Sequence, residues 1–355
     1  MGGGRGGGTH RRTSGPPRPP PDQAGLPAAA GGCFVSGGSA GNLSALVVAH
    51  DAARRRRDLP AGARLQVVVS DETHSSVTNT LNIIGAEKIV VPTVDHRFTG
   101  DALRAALQAD QDPSSIIAVV GTAGSTNAGI IDDLAGIAEV ARAHDLWFHV
   151  DGAYGGAGLF APSVRDRFAG IECVDSFVVD PHKWLFAPFD CAALIYRDPR
   201  LARSVHTQNG PYLDLVQADD SSAEWNPPDY AYQLTRSACG LPLWFSLAVL
   251  GIDAYSAAIE SGIALAKAAA ELIRTEYTYL EVIREPELSC LVYRRRGWTP
   301  QDYRSWSKRL LADQLGFVIP TSWEGEVVSR LAFLYPGTTI EMVREILDSM
   351  LEAPA

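Results

Sequence analysis

The chain has 355 residues, 46% of them hydrophobic and 20% charged, with a formal net charge of −10. That length can bury a large core, and it fits one large domain with a smaller one beside it. The acidic balance argues against a nucleic-acid partner, which favours a basic surface, and the five scattered cysteines lack any C-x-x-C spacing, so they read as reduced thiols of a cytoplasmic protein rather than a disulfide frame or a zinc site.

In chain order, residues 1–31 are Gly/Pro/Arg-rich and carry no hydrophobic period. They cannot bury enough to offset ordering entropy and are expected to be a disordered tail, or equally the product of a wrongly assigned start codon. Arg11 and Arg12 are followed by no apolar h-region, so no export signal is read there. No apolar run approaches the roughly 20 residues that span a bilayer, and no membrane association is expected. From residue 32, short apolar runs alternate with amphipathic stretches. Strands are expected at Leu65–Ser70, Ile89–Pro92, Ile116–Gly121, Trp147–Asp151, Phe177–Asp180 and Ala192–Tyr196, and helices over Ser39–Arg56 and Asp132–His144. This alternation predicts an α/β domain with a mostly parallel sheet, over 32–235. The unbroken apolar character of IIAVV and FVV fits strands covered on both faces. Residues 198–228 lose the pattern and read as a long, mobile, polar loop within that domain. A long helix over 233–275 leads into strand (288–294), helix (300–315), strand (327–334) and helix (338–352). Residues 236–355 therefore form a linking helix and a small C-terminal α+β domain.

Ligands of open α/β sheets bind at the carboxyl ends of the strands. Five successive strand ends or helix starts here carry polar or ionisable residues: SGGSAGN (36–42), DETHSS (71–76), GTAGST (121–126), HVDGAYGG (149–156) and DPHKW (180–184). SGGSAGN opens a helix, where free N–H groups and the helix dipole favour a phosphate; a tight turn capped by Ser39 is the bland alternative. Asp151 ends the apolar run LWFHVD and needs a cationic or hydrogen-bonding partner, either a turn or a pyridinium N–H. A metal at Asp151 is disfavoured because His149, two residues earlier, is read as pointing to the other face; no metal is expected. His74 lies at a strand-to-helix junction. Lys183, one of four lysines in the chain, sits between His182 and Trp184 after a buried strand, where an amine can lose its proton and attack a carbonyl. Phosphate site, ring-nitrogen carboxylate, ring-stacking histidine and reactive lysine together match what pyridoxal phosphate requires.

These motifs resemble the group II pyridoxal-phosphate-dependent decarboxylases, the family of aromatic-L-amino-acid, histidine and glutamate decarboxylases. The resemblance runs from about Gly32 to the C-terminus and is carried by HVDGAYGG and DSFVVDPHKWLFAPFDCAALI, with PHKWL and FDC closer to the aromatic branch. It implies a fold type I, aspartate-aminotransferase-like architecture and decarboxylation of an L-amino acid, expected to be aromatic, by a homodimer. It implies pyridoxal 5'-phosphate as cofactor, joined covalently to Lys183, with Asp151 at the ring nitrogen, His74 stacked on the ring and Thr126 near the ring hydroxyl or substrate carboxylate. Gly38 and Ser39 would hold the phosphate, helped by the turn at Asp180 and His182. Tyr212 in NGPYLD would return a proton to Cα. Two positions depart from the family pattern: Asp180, where asparagine is frequent, and Cys239, where arginine is usual. A third departure is the Gly/Pro-rich stretch standing where the family carries a helical N-terminal segment, so the chain reads as N-terminally truncated. Alternative readings are an inactive or cofactor-binding-only member, and an aminotransferase or lyase on the same fold.

Overall fold

The computed structural model describes residues 27, 29–60, 62–208 and 226–351. Its centre is a seven-stranded sheet built from β1 (Gly31–Val35), β2 (Gln66–Ser70), β3 (Glu87–Val91), β4 (Ile116–Thr122), β5 (Trp147–Asp151), β6 (Ser176–Val179) and β7 (Ala192–Tyr196). The strand order is β1-β7-β6-β5-β4-β2-β3, and only β7 runs against the others. Every residue of β2, β4, β5 and β6 is buried, as expected for parallel strands covered on both faces.

Alternating side chains feed two cores. Val68, Val119, Phe148, Val150 and Phe177 pack with α3 (Gly100–Ala109) and α4 (Leu134–Ala143). Val67, Val69, Val120, Trp147 and Val178 face α1 (Gly38–Arg57) and α2 (Ser75–Ile84). This two-residue period decides which polar groups of a strand can meet. The long α1 ends in four arginines, Arg54–Arg57, which complement the negative end of its dipole.

β6 runs into a single turn, α5 (Pro181–Trp184). Residues 199–206 of the expected loop instead form α6 (Pro199–His206). Its polarity hid it, yet Pro199 stands at its start and the Asp198 side chain accepts from Arg200 N–H, a local N-cap. α7 (Gly240–Glu276) is broken at Gly251 (φ 78°, ψ 165°). By length and composition α7 is apolar enough to cross a membrane, which corrects the expectation that no such run exists. The break leaves 11 residues before it, about 16 Å of helix against the roughly 30 Å of a bilayer core. The second half of α7 packs on an antiparallel sheet of β8 (Leu280–Arg284), β9 (Cys290–Arg295), β10 (Thr321–Trp323) and β11 (Glu326–Ala332), with α8 (Pro300–Ala312) and α9 (Ile340–Asp348) alongside.

The loops after β4 and β5 cross at backbone contact. A Cβ at Gly155 would lie 2.3 Å from the Ala123 carbonyl oxygen and 2.8 Å from Gly124 Cα. Neither neighbour is a side chain that can swing aside. Gly155→Ala is expected to cost about 1–3 kcal/mol, read as a lower urea midpoint with an unchanged far-UV spectrum. An unchanged midpoint would mean that these loops are free to separate.

Candidate active site

The carboxyl ends of β4, β5 and β6 and the starts of α1 and α2 surround a cavity of about 350 Å³, a size typical of small-molecule sites. Gly38, Ser39, His74, Thr126, Asp151, Asp180, His182 and Lys183 all line it. Tyr212 lies outside the described residues.

At the head of α1 the N-cap is Gly37, and no side chain caps the helix. Ser39 is inside the first turn rather than capping it, so the first N–H groups have no side-chain acceptor. A Cβ on Gly38 would sit 3.0 Å from Ala153 Cβ and 3.1 Å from Asp180 Oδ2. Glycine there lets the helix end approach the loops after β5 and β6.

Lys183 is held by its neighbours on both sides. Trp184 is fully buried and stacks on Tyr154 with ring centroids 5.3 Å apart. His182 Nδ1 accepts from Cys191 N–H at 2.8 Å. Between them Lys183 Nζ lies 2.8 Å from Asp180 Oδ2, an i,i+3 pair set by the α5 turn. His182 Nε2 is more distant from the same oxygen, at 3.5 Å. Asp180 is 2% exposed, and burial pushes its carboxyl up although the Lys183 ammonium opposes the shift. Burial likewise pushes the His182 imidazole down, with Asp180 opposing.

Asp151 is buried at the end of β5. Its Oδ1 accepts from Ala153 N–H at 3.0 Å and its Oδ2 from Asn42 Nδ2 at 2.8 Å. His149 does not face away, as the sequence reading has it. Residues i and i+2 of a strand share a face, and both His149 and Asp151 reach Asn42. Burial pushes the His149 imidazole down to about 4, so it is neutral in the fold. His74 is the N-cap of α2, its Nδ1 accepting from Ser76 N–H at 3.2 Å.

Sequence reasoning passed over Asn42, Thr122 and Tyr154. Asn42 had a visible signal: a polar residue on the buried stripe of α1, one turn after Gly38. Thr122 stands opposite Asp151 in the parallel register. Tyr154 reaches across to the residue before β9, its hydroxyl 2.7 Å from Ser289 Oγ. Arg330 of β11 donates to the Thr126 carbonyl, so the small domain touches the rim of the cavity.

Two buried side-chain oxygens that line the cavity, Thr122 Oγ1 and Asp180 Oδ1, have no hydrogen-bond partner. Orphaned buried polar atoms call for a polar ligand. With an uncapped helix start for an anion, a carboxylate at a strand end and a lysine amine in one cavity, the donor set fits pyridoxal phosphate.

Residues 19–296 match the family described as the pyridoxal-dependent decarboxylase conserved domain. The chain is 30% identical over 329 residues to the aromatic-L-amino-acid decarboxylase of Bacillus atrophaeus, covering 88% of this chain and 67% of that protein. It is 35% identical over 330 residues to an L-2,4-diaminobutyrate decarboxylase of Rhizobium meliloti, covering 90% of this chain and 65% of that protein. Over the curated relatives it matches, the chain spans between 42% and 67% of their length. The crystal structure of Oryza sativa TDC with PLP and tryptamine superposes with a TM-score of 0.84 at 28% identity, covering 92% of this chain and 71% of that one. Mouse CSAD in its apo form gives 0.78 at 25% identity, with 90% and 71% covered. From its cofactor-shaped site and from these matches, the chain belongs to the pyridoxal-dependent decarboxylase family.

Proposed function

We propose that this chain removes CO₂ from an L-amino acid, using pyridoxal 5'-phosphate held in the cavity, and that it works as a cytoplasmic homodimer. One observation carries the reading: Lys183, Asp151 and His74 come from three separate elements to line a single cavity. Lys183 would hold the cofactor covalently through Nζ. The first turn of α1, at Gly38 and Ser39, would take its phosphate, with His182 alongside. Asp151 would face its ring nitrogen, and Thr122 or Thr126 its ring hydroxyl. The bound cofactor supplies an electron-accepting ring for the pair left on Cα when CO₂ departs. His74 would cover the ring and exclude water. Tyr212 is proposed to deliver the proton to Cα, which makes the amine the product.

An aromatic substrate is supported by the Bacillus atrophaeus relative and by Phe189, which lines the cavity and packs against His182 with ring centroids 4.5 Å apart. Glu72 also lines the cavity, with Oε1 engaged by His96 at 2.7 Å. The homodimer is supported by the first half of α7. Leu241, Trp244, Phe245, Val249 and Leu250 form an exposed apolar face there, Trp244 at 60% and Val249 at 79%. Monomeric proteins rarely leave such a patch uncovered.

Mixed with pyridoxal phosphate, the protein is expected to show a visible absorption band that Lys183→Ala abolishes. Release of CO₂ from L-tryptophan or L-tyrosine should exceed that from L-2,4-diaminobutyrate, and Lys183→Ala should lower it at least ~10²-fold. A band without CO₂ release would favour a cofactor-binding-only protein, and amino transfer to a keto acid would favour the aminotransferase reading. Tyr212→Phe should lower amine yield; an unchanged yield removes Tyr212 from the mechanism. In sedimentation velocity, Trp244→Glu with Val249→Glu should shift the protein from dimer to monomer. A wild-type monomer would refute the assembly.

A further inference from the structure

Behind Lys183, Asp151 and His74 lies a set of buried polar groups that the mechanism above does not use. Their donors and acceptors can be assigned by chemistry. An ionised Asp151 only accepts, so the atom 2.8 Å from its Oδ2 must be the amide nitrogen of Asn42. Asn42 Oδ1 then faces His149 Nε2 at 2.8 Å, which requires the proton on Nε2. In a neutral imidazole Nδ1 is then an acceptor, and it lies 2.8 Å from Ser176 Oγ, which donates to it. Ser176 Oγ in turn accepts from Trp147 Nε1–H at 2.8 Å. The donors run one way, from Trp147 through Ser176, His149 and Asn42 to Asp151, and such chains polarise cooperatively.

The second amide proton of Asn42 goes to Ser76 Oγ at 2.9 Å. Having accepted there, the Ser76 hydroxyl turns its own proton to His74 Nδ1, 2.8 Å away. The Ser76 backbone N–H points to the same nitrogen. A neutral His74 is therefore left with its proton on Nε2. Asn42 is 1% exposed, and His149 and Ser176 are fully buried, so no solvent competes for the bonds of the branch to Asp151, whereas the Ser76–His74 end of the other branch is open to solvent.

We propose that Asn42 is the positioning residue of this site, one amide that orients the Asp151 carboxylate and the His74 ring together by donating to both branches. The amide joins α1 to β5 and to α2, so the two groups that would face the cofactor ring from different elements share one support. The consequence for cofactor binding rests on the function proposed above, whereas the geometry rests on the hydrogen bonds alone.

The test uses the full chain labelled with ¹⁵N-histidine, free of cofactor at pH 8, and a parallel titration with pyridoxal phosphate. The wild type is expected to show His149 and His74 as Nε2–H tautomers. In Asn42→Ala, His149 should lose its fixed tautomer, the His74 Nδ1 resonance should move, and cofactor affinity should fall roughly tenfold. Ser76→Ala should move His74 while leaving His149 unchanged. Ser76 is only partly buried, so this variant carries the test if Asn42→Ala does not fold. Histidine resonances that stay in place in both variants overturn the proposal, as does a His74 resonance unmoved in Ser76→Ala. Failure of the wild type to bind pyridoxal phosphate would refute the proposed function, yet the histidine resonances would still decide this one.

Discussion

The arrangement depends on one constraint: a carboxylate placed at the buried end of β5 must have its lone pairs filled. Asp151 meets it with a backbone N–H from the following turn and the amide of Asn42. The first partner fixes how the chain leaves the strand. The second draws the head of α1 over the end of the sheet, where Gly38 allows it to touch the loops after β5 and β6. Satisfying that one group brings the start of α1 and the loops after β5 and β6 to the same cavity.

Lys183 is held by a related logic. Its turn is short, four residues, and would not hold a shape alone. Trp184 anchors it in the core and His182 ties it to the residue before β7 through Cys191 N–H. The amine is thus presented by rigid neighbours, while Asp180 supplies a buried counter-charge. Asp180 keeps one oxygen without a partner, which is the kind of unmet need a ligand can complete.

Much of this was legible in the chain itself. β5 and β7 were read with the bounds they have, and the other runs of the large sheet to within two residues, because buried parallel strands are unbroken apolar runs flanked by polar turns. Lys183, Asp151 and His74 stood out as ionisable residues at the ends of such runs. α6 is hidden because its composition is polar overall although Leu201, Ala202 and Val205 face the core, and β1, β8 and β10 are hidden because strands at a sheet edge carry weak patterns. His149 shares the face of Asp151, because residues two apart on a strand point the same way, and both reach Asn42.

By itself the sequence determined the α/β class, the sheet, the family and the residues at its strand ends, because strand and helix periods and turn chemistry are local. Only the tertiary structure decided which of those residues share a cavity and what supports them. Asn42 lies 109 positions from Asp151 and 34 from Ser76, and nothing in its own neighbourhood announces either bond. Those bonds exist because the parallel sheet stacks α1 across β5 and beside α2, and a buried amide must find partners among whatever that stacking brings near.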